Sequence, residues 1–377
     1  MTLCQWQHHG QPQSAEWPDS LQHAAPQWLE VIGDQTSADT AFRLASEGAG
    51  LVYDGDFHNA RQLLQAMARR LDKKPIKPAD TLLQTFHLYR ARQIQRAHLL
   101  NKLLLPLHQG NCLLKRAPST VDAVQHALGH VPEALLLPMQ MLQGMVGAYQ
   151  WWLKGVPIPA LGQSIHPAYG VYSPVRGEYL DLIASAPLTA SSALDIGTGS
   201  GVIAALLARR GVAQVTATDN QPRALACAQD NLQRLGLAAQ VTVLEADLFP
   251  QHLKVDLAVC NPPWLPAKAN TPLEHAVYDP DSRMLRAFLN RVPQHLTANG
   301  EAWLVMSDLA ELIGLRAPGQ LAGWLSEAGL TLVERHTVAP KHGRARDPND
   351  VLFTARARET TSLYRLKCLP NAANLAP

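Results

Sequence analysis

No stretch of this 377-residue chain is an uninterrupted apolar twenty-mer, so none reads as a bilayer-spanning helix. The opening Met1-Thr2-Leu3-Cys4-Gln5-Trp6 lacks a signal-peptide pattern. Cysteine is sparse. Cys4, Cys112, Cys227, Cys260 and Cys368 are scattered, odd in number and without a C-x-x-C pair. That usage argues for a reducing cytoplasm and against a structural metal. The histidines show no ligand spacing, and His8-His9 sits in a polar leader, where solvation is the plain reading. There is no internal repeat, and the first 165 residues contain no nucleotide-binding glycine loop. With 47% of its residues apolar, the chain is long enough for two domains with proper cores.

Against these absences stands Asn261-Pro262-Pro263-Trp264, directly after the apolar run Leu257-Ala258-Val259-Cys260. That run reads as a buried strand. Two prolines cannot continue a sheet ladder, and each pushes the residue before it toward extended geometry. The backbone there is stiff, and it sets an amide and an aromatic ring at the carboxyl end of a strand, where α/β sheets bind ligands. An amide acceptor beside a flat ring suits a planar target carrying an NH2 group. Taken alone, the four residues are equally a tight turn with a core Trp.

A second motif changes that balance. Leu194-Asp195-Ile196-Gly197-Thr198-Gly199-Ser200-Gly201 is an apolar strand running into a glycine loop, followed by the helical run Val202 to Arg210. Such a loop lets backbone approach a nucleotide-like ligand closely. The third glycine comes one residue too early for the dinucleotide fingerprint, so a nicotinamide dehydrogenase fails on spacing. Asp195 before the loop suits a ligand with an ammonium group. Asp219 ends the next apolar run, about twenty residues past the glycines, where a ribose diol is held. A third run, Val241 to Leu244, leads to Glu245-Ala246-Asp247-Leu248-Phe249.

In this order the motifs resemble the class I S-adenosylmethionine-dependent methyltransferases. Within them they resemble the amino-methylating branch that includes release-factor glutamine methyltransferases and adenine and guanine methylases of RNA and DNA. The resemblance covers roughly residues 166 to 368. It implies a Rossmann-like α/β sheet of seven strands, mostly parallel with an antiparallel last strand, over a domain of residues 166–377. It implies S-adenosylmethionine as cofactor. Asp195, Gly197, Thr198, Gly199 and Gly201 would cradle its methionine part, Asp219 and Asn220 would meet the ribose, and Asp247 with the Leu248 backbone would meet the adenine. Asn261 and the Pro262 carbonyl would accept hydrogen bonds from the target NH2 while Trp264 stacks on its plane, Pro263 completing the catalytic motif. The segment Pro174-Val175-Arg176-Gly177-Glu178-Tyr179 matches in kind the stretch with which the glutamine-methylating family closes over the cofactor. Arg176 is its cofactor-side candidate, although Tyr179 stands where that family has Thr.

Residues 1–165 read as a mostly helical accessory domain for target recognition. Gln11 to Pro26 is expected to be loose, Gly50 to Asp56 a strand and turn, and Asn59–Leu71, Thr81–Leu104 and Leu135–Leu153 helices. Charge is segregated: residues 61–116 hold twelve Lys or Arg against two Asp, a net +10 in a chain of net +2. Together with Lys341-His342-Gly343-Arg344-Ala345-Arg346, such a region suits a phosphate backbone. Its plain alternative is a solvated face or cations paired with acids. Leu265 to Arg283 is a long connection that reads as a lid. The expectation is a cytoplasmic N-methyltransferase acting on an RNA base, with a protein glutamine amide as alternative and no membrane or metal partner. A non-catalytic S-adenosylmethionine-binding scaffold is the reading from another class, and it leaves Asn261 to Trp264 without a purpose.

Overall fold

The computed structural model describes residues 2–18, 24–73, 75–174 and 177–369. The chain forms two compact units: Met1–Lys77 with His87–Leu153, and Pro78–Phe86 with Lys154–Pro377. The expected boundary at 165/166 falls inside the second unit. The hairpin of Val156–Ile158 and Gln163–Ile165 adds Val156, Ile158 and Ile165 to that unit's core.

The first unit corrects the expectation of a mostly helical domain. Its scaffold is a seven-stranded mixed sheet: β1 (Thr2–His8), β2 (Gln11–Trp17), β3 (Leu29–Gly33), β4 (Gly50–Asp54), β5 (Leu103–His108), β6 (Asn111–Cys112) and β7 (Ala134–Pro138). The order is β1-β2-β7-β5-β4-β3, with β6 on β5. Gln11–Trp17, expected to be loose, pairs along its whole length with β1 and buries Ala15 and Trp17. The run from Leu135 splits into the strand Ala134–Pro138 and the helix Met139–Lys154. Leu135, Leu136 and Leu137 are fully buried, which fits a strand covered on both faces. The helix Phe57–Asp72 forms as expected: Asp56 caps it by accepting the His58 N–H, and Ala60, Leu63, Leu64, Met67 and Leu71 make one buried stripe.

In the second unit the hairpin strands are β8 (Val156–Ile158) and β9 (Gln163–Ile165). The main strands are β10 (Ser192–Ile196), β11 (Gln214–Asp219), β12 (Val241–Glu245), β13 (Val255–Cys260), β14 (Leu296–Ser307), β15 (Leu330–Val338) and β16 (Thr361–Cys368). Their order is β12-β11-β10-β13-β14-β16-β15. β10 to β14 pair in parallel, and β16 runs antiparallel to both neighbours. The expected seven-stranded sheet is present here, and the segment before β16 carries the short helix Phe353–Arg356. Alternate residues feed two cores: Ala193, Ala217, Leu257 and Val259 on one side, Leu194, Ile196, Ala258 and Cys260 on the other. Burial on both faces is why these strands read as unbroken apolar runs. Strand order reverses between β10 and β13, which leaves a crevice at their carboxyl ends. Among the described residues no helix is long and apolar enough to cross a membrane.

Candidate active site

The glycine loop leaves β10 at Ile196, which pairs with Cys260 of β13, so Gly197 and Asn261 depart side by side. Gly197, Gly199 and Gly201 all have positive φ, a conformation that other residues adopt at a cost. A Cβ at Gly201 would sit 3.2 Å from Ala228 on the helix Pro222–Arg234, so this glycine lets the two helices close. A Cβ at Gly199 would meet nothing within 4 Å. The loop is open there.

Asp195 is fully buried. Its Oδ2 accepts from the Thr198 hydroxyl at 2.6 Å and the Ala204 N–H at 3.0 Å, and so ties the loop to the helix Val202–Arg209. Its Oδ1 is buried without a hydrogen-bond partner. Desolvation pushes this carboxyl up to about 6, although the Thr198 and Ala204 hydrogen bonds oppose the rise. This oxygen is a buried acceptor with its hydrogen-bonding capacity unmet at the base of the glycine loop.

Asp219, half-buried at the end of β11, accepts the Gly199 N–H at 3.1 Å on Oδ2 and the Gln221 N–H at 3.0 Å on Oδ1. The loop and this acid are thus fixed to each other, and each oxygen keeps a lone pair. Thr218 links three motifs: its carbonyl accepts the Thr198 N–H at 2.9 Å, and its hydroxyl donates to the Leu248 carbonyl at 2.7 Å. Leu248 has φ +68, a strained value for a branched side chain. Asp247 is less engaged. Its side chain is 86% exposed, and its ionic neighbour Arg291 lies at 3.9 Å. Asn220 is exposed, with its Oδ1 accepting from Gln221 at 3.1 Å. Arg176 and Val175 lie outside the described residues, while Glu178 is buried and accepts the Lys341 N–H at 3.3 Å.

At the end of β13 the Trp264 indole N–H donates to Asn261 Oδ1 at 2.9 Å. Trp264 is partly buried and packs against both cores of the unit, and Pro262 is buried. The expected acceptor oxygen therefore already holds one donor, and the ring expected to stack on a target is first of all Asn261's partner. The connection that follows is ordered at both ends. Leu265 N–H donates to the Val277 carbonyl, and Asp279 N–H to the Leu265 carbonyl, at 3.1 and 2.9 Å. Asp279, buried, caps the helix Arg283–Arg291 through the Met284 N–H at 2.9 Å.

Asn231 carried no pattern in the sequence. On the helix Pro222–Arg234 it accepts the His166 N–H at 2.7 Å and donates to the Ser200 carbonyl at 3.0 Å, joining the segment that follows β9 to the glycine loop. In the first unit, part of the basic region is neutralised. Arg70 pairs with Asp39 at 2.8 Å, Arg96 with Asp72 at 3.2 Å, and Arg116 with Asp56. Among the described residues one trio could hold a metal ion, His8, His9 and Asp54, and it is largely exposed.

Residues 179–312 match the family model of the methyltransferase small domain. The match lies wholly within the second unit and spans its glycine loop and the Asn261–Trp264 motif. The chain is similar to the release factor glutamine methyltransferase of Moorella thermoacetica, 46% identical over 86 residues, 22% of this chain and 30% of that one. It is similar to that of Cereibacter sphaeroides, 34% identical over 158 residues, 38% and 54% of the two chains. A third relative, the tRNA1(Val) (adenine(37)-N6)-methyltransferase of Glaesserella parasuis, is 42% identical over 81 residues, 21% and 34% of the two chains. The chain thus spans from less than a third to about half of these relatives' lengths.

Proposed function

We propose that this chain is an S-adenosylmethionine-dependent N-methyltransferase that acts on the NH2 group of a planar target. The observation that carries the reading is the pairing of Ile196 with Cys260, which starts the glycine loop and the Asn261–Trp264 pair side by side. The site fits the cofactor: a buried, unpartnered Asp195 Oδ1 suits an ammonium group, and the space above Gly199 suits a ligand body. Asp219 Oδ1 and Oδ2 retain lone pairs for the ribose hydroxyls. When bound, the cofactor supplies an electrophilic methyl group on a sulfonium. The chain's own part is alignment and the tuning of the nucleophile. Asn261 Oδ1, with one lone pair taken by Trp264, offers the other to a target N–H. That hydrogen bond strengthens as the nitrogen gains positive charge, so it favours the transition state over the bound target.

For the acceptor, the exposed cations Arg61, Arg69, Lys73 and Lys115 support an RNA base. The release-factor relatives support a protein glutamine amide, and the ion pairs of Arg70, Arg96 and Arg116 shrink the basic footprint in its favour. Incubation with methyl-labelled S-adenosylmethionine and fractionated RNA and protein from cells lacking the enzyme tests both. Label in the RNA fraction is the expected result, and label in protein moves the acceptor to an amide. No label in either, with no calorimetric binding of the cofactor, ends the methyltransferase reading.

A further inference from the structure

Arg316 follows the short helix Leu309–Ile313 at the carboxyl end of β14 and is only 3% exposed. Its backbone is anchored: the Gly314 turn has φ +90, and the Arg316 N–H donates to the Ala310 carbonyl at 3.1 Å. One nitrogen of its guanidinium, Nη2, makes two long hydrogen bonds of 3.4 Å, to the Trp264 carbonyl and the Ser282 hydroxyl. The plane rests near Trp324, with Cζ 5.7 Å from the ring centroid, and Nε is buried without a partner. Burial lowers its proton affinity, opposed by Glu311, Tyr364 and Asp279. Nothing here is an ion pair. A buried cation with an unmet donor is costly for a fold, and an apolar side chain of the same volume is tolerated at least as well in many such positions.

The two acceptors show what the position gains. Trp264 and Ser282 stand at the two ends of the 265–283 connection, and Ser282 itself is held at φ +52. A donor to the Trp264 carbonyl restrains the backbone that carries the indole whose N–H reaches Asn261. We propose that Arg316 is a positioning residue for the methyl transfer, clasping the ends of the connection so that Trp264 holds Asn261 in its accepting orientation. The inference rests on the N-methyltransferase reading above, and it names a residue outside the motif. Lysine is expected to replace it in part, because a single nitrogen makes both bonds but an ammonium on a shorter stem reaches them less well.

The test compares the full chain with Arg316→Met, which keeps stem length and removes the donors, and with Arg316→Lys. S-adenosylhomocysteine affinity is expected to stay within about twofold, since Arg316 touches none of the cofactor-side residues. Turnover is expected to fall about tenfold or more in Arg316→Met with KM little changed, and to recover in part in Arg316→Lys. The indole 15N–1H resonance of Trp264, assigned by its loss in Trp264→Phe, is expected to shift in Arg316→Met. An unmoved resonance, or wild-type turnover in Arg316→Met, overturns the proposal. If Arg316→Met does not fold, the same readouts on Arg316→Lys decide. A wild-type chain that methylates nothing removes the functional reading alone, and the resonance still reports whether Arg316 holds Trp264.

Discussion

An indole N–H can only donate, so the Asn261 atom facing Trp264 at 2.9 Å must be the carbonyl oxygen. Side-chain amide orientation is ordinarily ambiguous, and here the partner's chemistry fixes it. Asn261→Ala is expected to lower turnover by roughly 10²- to 10³-fold, the loss on removing one transition-state partner, with cofactor affinity nearly unchanged. Trp264→Phe keeps the ring and removes the N–H. A turnover loss of about 2- to 10-fold, on the order of one neutral hydrogen bond, separates an orienting role from pure stacking. Wild-type turnover in that variant would leave stacking as the whole role. Asp195 makes a prediction in pH. Its carboxyl titrates near 6 when folded against 3.8 for an unburied one, with burial the main cause. Below about pH 4 both states are protonated and nothing is lost. From 4 to 6 the unfolded chain ionises first and stability falls, by roughly 3 kcal/mol, and above 6 the loss is constant. Urea melts of wild type and Asp195→Asn should therefore diverge between pH 4 and 6, in the variant's favour, and run parallel above. A constant difference across that range would show that Asp195 is not held this way.

At the scale of the element, the glycine loop separates two demands. Gly201→Ala puts a Cβ 3.2 Å from Ala228 at φ +80, so it should cost about 1–3 kcal/mol of stability. Gly199→Ala points into open space at φ +55. It should melt closer to wild type but bind S-adenosylmethionine more weakly, because the methyl takes up ligand room. Equal effects of the two on stability and on calorimetric affinity would refute the division. This loop was legible in the sequence because glycine spacing, the preceding acid and the strand are all local. The same holds for Asn261 to Trp264, where prolines mark the strand's end. Arg316 and Asn231 were not legible: each is a single polar residue in a mixed stretch whose partners lie far along the chain. Strand β2 was hidden for a different reason, since only Ala15 and Trp17 of Gln11–Trp17 are buried and no apolar alternation shows. At Ala134–Met139 an apolar run crosses from strand to helix at Pro138, the breaking signal that a single helix over Leu135–Leu153 overlooks.

For the molecule as a whole, salt dependence separates the two acceptors. Arg90 is buried and Arg96 is paired with Asp72, so they are poor probes of a phosphate surface. Arg61, Arg69 and Lys73 are exposed. If they meet RNA, changing all three to Gln should reduce the slope of log affinity against log salt by about 2, at roughly 0.7 per phosphate contact on single strands. An unchanged slope would favour a protein amide, recognised through a few buried anchors. A different consequence follows from the ladder between β10 and β13. It acts as a ruler: the glycine loop and the Asn261–Trp264 motif start one strand spacing apart, about 4.8 Å. The middle of the 265–283 connection can change for a new target without altering that interval. A one-residue insertion within Val255–Cys260 cannot be absorbed so easily, since it turns every following side chain to the opposite face of the sheet.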